Sequence, residues 1–178
     1  MISSDQPVFF YMDTSVQIKS ANFSSIFDRV LRNKGVVIFD EVKLHTNARV
    51  TWPNMYEYLP TNLNLQNQTM SFQSTMLYVN TEENYANFMQ WHIFCSLVKD
   101  CIAPTDKRSF QRSIPPQYPA CHRYDMSSLN ILLSNYHAFK VNSYGMTSKD
   151  LVQVVRGKRK IAKDEEEQFN KLVRKNSV

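Results

Sequence analysis

The sequence predicts an α+β fold, an antiparallel β-sheet packed against a few helices in a single domain with a C-terminal helical tail. Three observations predict it. Segments that alternate apolar and polar residues, as half-buried strands do, are interleaved with segments whose apolar residues recur every three or four positions, as in helices. The spacings between them mix hairpin-like and crossover lengths, the pattern of a sheet covered by helices. The 178 residues, 43% hydrophobic and 21% charged, fit one globular domain of ordinary composition. The domain spans residues 1–155, with long loops at 53–69 and 103–123, and the tail spans 156–178.

Residues 8–19 read as a half-buried strand, with Val8, Phe10, Met12, Val16 and Ile18 on one face and Asp13, Ser15, Gln17 and Lys19 on the other. Ser20-Ala21-Asn22 supplies a cap. Phe23, Ile26, Phe27, Val30 and Leu31 then recur at helical spacing until Asn33-Lys34-Gly35 stops the helix. Val36 to Leu44 is β-branched and reads as a second strand, and Ala48 to Trp52 as a third, ended by Pro53. The proline- and asparagine-rich stretch 53–69 has no clear period and reads as loop.

Met70 to Val79 alternates as a strand. Asn80 with Glu83 resembles a capping box, and a helix should run from about Thr81 to Ile102. Its apolar residues, among them Tyr85, Phe88, Trp91, Phe94, Cys95 and Val98, cover so wide an arc that it reads as the central packing element. Residues 103–123 interleave Pro104, Pro115, Pro116 and Pro119 with basic residues, predicting an extended loop. Leu129 to Tyr136 suggests a short helix and His137 to Val141 a strand. Thr147 with Asp150 marks another helix start, carrying Leu151, Val154 and Val155.

Composition excludes several classes of function. With three isolated glycines, Gly35, Gly145 and Gly157, neither a P-loop nor a dinucleotide-binding fingerprint can form. No stretch approaches the roughly 18 apolar residues of a membrane span. The opening residues Met1 to Gln6 lack the pattern of a signal peptide, and position two is not the glycine that myristoylation needs. Three cysteines, an odd number, argue against a secreted disulfide scaffold and for a reducing compartment.

His92, Cys95, Cys101, Cys121 and His122 are the soft ligands available, but their spacing is irregular for zinc, and the pair His92 and Cys95 is equally what helix packing gives. The four histidines are scattered, and Asp40 and Glu41, adjacent in a strand, face opposite ways. The expectation is a non-enzyme with no catalytic residue, no cofactor and no metal.

Charge is the stronger signal. The net +5 divides into −2 over residues 1–100 and +7 over residues 101–178. Arg156, Lys158, Arg159, Lys160 and Lys163, with Lys107, Arg108 and Arg112, are the candidate residues for an anionic surface or nucleocapsid. The first cluster also fits a nuclear localisation signal, or a solvated helix face balanced by Asp164 to Glu167. Pro115, Pro116 and Tyr118 form a PPxY motif of the type WW domains grip.

The strand Phe9 to Lys19 leading into Ser20-Ala21-Asn22-Phe23 and an amphipathic helix, and the later strand Met70 to Val79 leading through Asn80-Thr81-Glu82-Glu83 into a helix bearing Trp91, resemble the matrix proteins of rhabdoviruses. Size, basic charge, methionine content and the PPxY motif resemble those of the plant-infecting members in particular. In animal-virus members the basic cluster and PPxY lie near the N-terminus, whereas here they are C-terminal and central. The resemblance implies a virion structural protein that self-associates, condenses the viral ribonucleoprotein and bridges it to the envelope membrane. Its implied partners are further copies of itself, viral ribonucleoprotein or RNA, an anionic membrane surface and a WW-domain host protein. Its implied locations are the virion, the host cytoplasm or nucleus, and the membrane periphery.

Residues 1–7 and 53–69 are the candidates for self-contact. The rival readings are a nucleic-acid-binding viral protein (nucleocapsid, coat or silencing suppressor) with a nuclear localisation signal, a WW-domain adaptor and, last, a small hydrolase.

Overall fold

The computed structural model describes residues 7–20, 22–39, 41–71, 74–103, 122–146 and 151–154. In chain order the elements are β1 (Val8–Met12), β2 (Val16–Ile18), α1 (Ser24–Arg32), β3 (Val36–Phe39), β4 (Glu41–Thr46), α2 (Asn47–Val50), α3 (Met55–Tyr58), β5 (Thr69–Ser71), β6 (Thr75–Val79), α4 (Glu82–Asn84), α5 (Gln90–Leu97), α6 (Lys99–Ile102), α7 (Tyr124–Tyr136), β7 (Gly145–Met146) and β8 (Val152–Val154). Short 3-10 turns cover Leu63–Leu65 and Val141–Ser143, and a π-helical turn, Tyr85–Met89, joins α4 to α5. The fold is α+β.

The main sheet has the order β1-β6-β3-β7. Its pairs are antiparallel except β3 with β7. The period of two along a strand sorts its side chains into two cores. From β3 and β6, Val37, Phe39, Leu77 and Val79 face α1, where they meet Ile26 and Val30. Val36, Ile38, Met76 and Tyr78 face the opposite layer, where they meet Phe88, Leu129 and Leu133. Both central strands are buried on both faces, so they read as near-continuous apolar runs rather than as alternating ones.

Local signals explain some boundaries but not the start of α1, whose N-cap is Phe23 with no side-chain hydrogen bond rather than the expected Ser20-Ala21-Asn22. At the end of α1 the Gly35 N–H donates to the Val30 carbonyl at 2.8 Å, and Lys34 and Gly35 take the left-handed conformation (φ 53° and 78°). That is the helix stop read at Asn33-Lys34-Gly35. Residues 8–19 are two strands rather than one. β1 joins the main sheet, whereas β2 pairs with β8 through Val16–Val154 and Ile18–Val152.

Several other expectations are corrected. Ala48 to Trp52 is not a strand: Thr46 caps α2, its hydroxyl accepting from the Arg49 N–H. The stretch 53–69 is not a structureless loop. It forms α3 and a 3-10 turn, burying Met55, Leu59 and Gln66. Its glutamines are anchored: Gln66 Oε1 accepts from Asn47 Nδ2 of α2 (2.9 Å), which also donates to Ser134 Oγ (3.1 Å), and Gln68 Nε2 donates to Ser134 Oγ (2.6 Å). These hydrogen bonds tie the segment to α2 and α7.

His137 to Val141 is not a strand, because Ala138 and Phe139 turn left-handed (φ 50° and 61°) and end α7. Val152–Val154 is strand, not helix. The helix expected over 81–102 is interrupted twice, by the π turn and by a break at Val98. The central packing element is instead α7, buried from Ser127 through Ser134. Its serines and Asn130 are held by hydrogen bonds: Ser127 Oγ donates to the Val50 carbonyl at 2.9 Å, and Asn130 pairs with Ser71.

Candidate interaction surface

The sequence-derived site residues Lys107, Arg108, Arg112, Pro115, Pro116, Tyr118, Arg156, Lys158, Arg159, Lys160 and Lys163, and the tail 156–178, lie outside the described residues. So do residues 1–6 of the segment expected to make self-contacts. The remaining candidates are placed. Cys95 and Cys101, weighed in the sequence as soft metal ligands, form a disulfide instead. His92 Nδ1 lies 2.8 Å from Ser128 Oγ, and burial holds its pKa below the usual histidine range, partly opposed by Asp125. The His122 ring receives the Trp52 N–H at Nδ1 (3.1 Å), with Nε2 2.9 Å from the Ile102 carbonyl. Among the described residues no three His, Cys, Asp or Glu side chains come together as metal ligands would.

The feature that stands out is the outer face of α5. Its helix begins at Thr81, whose hydroxyl accepts from the Asn84 N–H at 3.1 Å. The cap is therefore Thr81 rather than Asn80, which accepts from the Tyr78 hydroxyl instead. Glu82 and Glu83 in the first turn suit the positive end of the helix dipole. Tyr136 donates to Glu83 Oε1 at 2.9 Å; burial first, then that carboxylate, raises its pKa well above the usual phenol range. Buried Asn84 donates to the Val79 carbonyl at 2.9 Å, fixing the helix to the end of β6.

The π turn then inserts one extra residue. The Ala86 carbonyl accepts from Gln90 Nε2 (2.8 Å) and from Trp91 Nε1 (2.9 Å), so the indole N–H is satisfied by its own helix. Trp91 therefore needs no partner in the core and lies 48% exposed, edge-on to Phe94 at 6.2 Å between ring centroids. Phe94 is 52% exposed and Leu97 78%, with Ile93 and Val98 close to half exposed. Of α5 only Cys95 is buried.

This is a ridge of large apolar side chains facing solvent. Single exposed apolar residues are ordinary, but a contiguous set on one element marks a contact surface. A smaller apolar group lies on β1, an edge of the main sheet, where Phe9 and Tyr11 are about half exposed and Phe9 stacks on Tyr78 at 6.2 Å. Among the described residues no helix is long and apolar enough to cross a membrane.

A separate concavity is of a different kind. It is a cavity of about 690 Å³ between Asn33, Gln68 and the turn Phe139–Ser143, and Lys140 is the one ionisable residue lining it.

Reading the sequence assigned Trp91, Phe94 and Val98 to the core. The signal that could have corrected this was excess: more large apolar residues than one helix face can bury.

No family of proteins, no curated protein and no solved structure matches this chain.

Proposed function

We propose that this chain is a structural, matrix-like protein of a virion, acting through self-association rather than catalysis. The observation that carries the reading is the exposed apolar ridge of Trp91, Ile93, Phe94 and Leu97 on α5, with Val98 at its end. Burying such a ridge against a second copy gains roughly 25 cal/mol for each Å² of apolar surface removed from water, and contacts repeated along a polymer gain avidity without any strong single site. The net +7 of residues 101–178 supports the other half of the role. Lys107, Arg108 and Arg112, with the cluster Arg156 to Lys163, would hold the assembled protein to ribonucleoprotein and to an anionic membrane surface. Pro115, Pro116 and Tyr118 would offer a WW-domain protein its motif.

The second reading, a nucleic-acid-binding viral protein, rests on that same positive charge. Sedimentation of purified, nuclease-treated protein at low and high salt separates the two. The matrix reading expects reversible protein-only polymers that Phe94→Glu with Leu97→Glu reduces to monomer. A monomer at every salt concentration, forming large species only when RNA is returned, overturns it in favour of the second.

A further inference from the structure

The break between α5 and α6 has no cause in the local sequence. The segment Cys95-Ser96-Leu97-Val98-Lys99-Asp100-Cys101 contains neither glycine nor proline, the residues that usually end a helix. α6 starts at Val98, whose side chain caps nothing, and valine is among the poorest N-cap residues. At four residues, α6 is too short to be helical by propensity alone. What distinguishes the segment is the disulfide. It brings the Cα atoms of Cys95 and Cys101 to 5.1 Å. In one uninterrupted helix, residues six apart are separated by about 9 Å along the axis, beyond the roughly 7 Å that a disulfide spans. The bridge and a continuous helix are mutually exclusive.

Their consequences for Cys101 are opposite. With the bridge in place, Cys95 and Cys101 are both buried, in the same core cluster as Leu129 and Leu133. If α5 ran on through Ile102, Cys101 would follow Leu97 by four residues and share its outward ridge. Ile102 would follow Cys95 by seven and take the inward side. We propose that the disulfide holds open a break in what is otherwise one helix, and that its reduction joins α5 to α6 and brings the Cys101 thiol to the exposed ridge as a site for thiol exchange. The inference concerns the geometry of the ridge and stands whichever partner covers it.

The reaction needs a dithiol reductant. Its thiolate attacks one sulfur of the bridge, the S–S bond breaks, and a mixed disulfide forms. The reductant's second thiolate displaces that sulfur and closes a disulfide within the reductant. Two electrons pass to the protein, and Cys95 and Cys101 each end as a thiol with one proton. Because both sulfurs are buried, exchange proceeds through local opening at the exposed corner Leu97–Val98.

The test uses the full chain, untreated or reduced with dithiothreitol and desalted without oxygen, then pulsed with N-ethylmaleimide. Trypsin places the three cysteines on separate peptides, since Lys99 divides Cys95 from Cys101 and Lys107 divides Cys101 from Cys121. The expected result is no labelling of Cys95 or Cys101 in the untreated protein. After reduction Cys101 should label roughly ten-fold faster than Cys95, as an exposed site does against a buried one. Cys95→Ser, which cannot form the bridge, should show the fast Cys101 without reductant, and hydrogen exchange should show the Lys99 and Asp100 amides newly protected. Equal rates at Cys95 and Cys101 after reduction, or labelling of both before it, would overturn the proposal.

Discussion

The side-chain amide of Asn130 occupies both backbone groups of Ser71, its Oδ1 accepting from the Ser71 N–H and its Nδ2 donating to the Ser71 carbonyl, each at 2.9 Å. One helical side chain thus takes the place of a neighbouring strand beside β5. Both residues are fully buried, so water cannot replace either bond. Leaving buried polar groups unpaired costs about 1–3 kcal/mol each. Asn130→Leu should therefore lower stability by about 2–6 kcal/mol, read as a lower urea midpoint with an unchanged slope. A midpoint within error of the wild type would show that Ser71 finds other partners.

Gly145 is needed for space. A Cβ there would meet Ser71 Oγ at 2.9 Å, the Val141 carbonyl at 3.1 Å and Val141 Cγ1 at 3.2 Å. The serine can rotate away, but the carbonyl belongs to the turn that positions Tyr144. Gly145→Ala should destabilise by about 1–3 kcal/mol, the usual cost of overpacking. Thermal unfolding measures it, and an unchanged midpoint counts against the tight fit.

His137 makes stability depend on pH. It is buried between the rings of Tyr136 and Tyr144, at 5.1 Å and 5.2 Å between centroids. Burial, and then the nearby Lys34, pushes its pKa down from 6.5 to about 4. The unfolded chain therefore binds a proton that the folded chain refuses. The contribution is fully present above pH 6.5, is lost progressively as pH falls towards about 4, and levels off below that. His92, also lowered by burial, acts in the same direction. Urea midpoints between pH 7 and pH 4 should fall, and less steeply in His137→Phe, which keeps a ring in place. Equal slopes in the two proteins would remove His137 as the source.

Trp91 reports on the ridge directly. Half exposed as a monomer, its indole should lose water on assembly, so its emission should shift to shorter wavelength as concentration rises. Trp91→Phe should abolish the shift and leave the unfolding free energy within about 0.5 kcal/mol of the wild type, as surface substitutions do. A shift that survives the substitution would assign it to Trp52.

Where local physics decides, the sequence was readable. The α+β class, the stop at Lys34-Gly35 and the burial of Ile26 and Val30 follow from caps and periodicity alone. Misreadings arose where a distant partner decides. Gln66 and Gln68 look like loop residues until Asn47 and Ser134, distant in the chain, supply their hydrogen bonds. The periodicity over 81–102 read as one buried helix, because an inserted π residue and a disulfide-linked break each change its phase, and nothing in the local sequence says that Cys95 pairs with Cys101. The β-branched run Val152–Val154 pairs with Val16–Ile18, a partner that no local window contains.

The π turn at Tyr85–Met89 acts as an indexing device. Each helical residue advances the side chains by about 100°, so one surplus residue before Gln90 sets which side of α5 points outward. Deleting that residue would restore regular α-helix and turn the whole set from Trp91 to Leu97 by the same angle while changing none of their identities. A length variant of one residue is thus a cleaner probe of this face than any point substitution. It also means that a relative of equal composition but one residue shorter here would present a different surface to its neighbours.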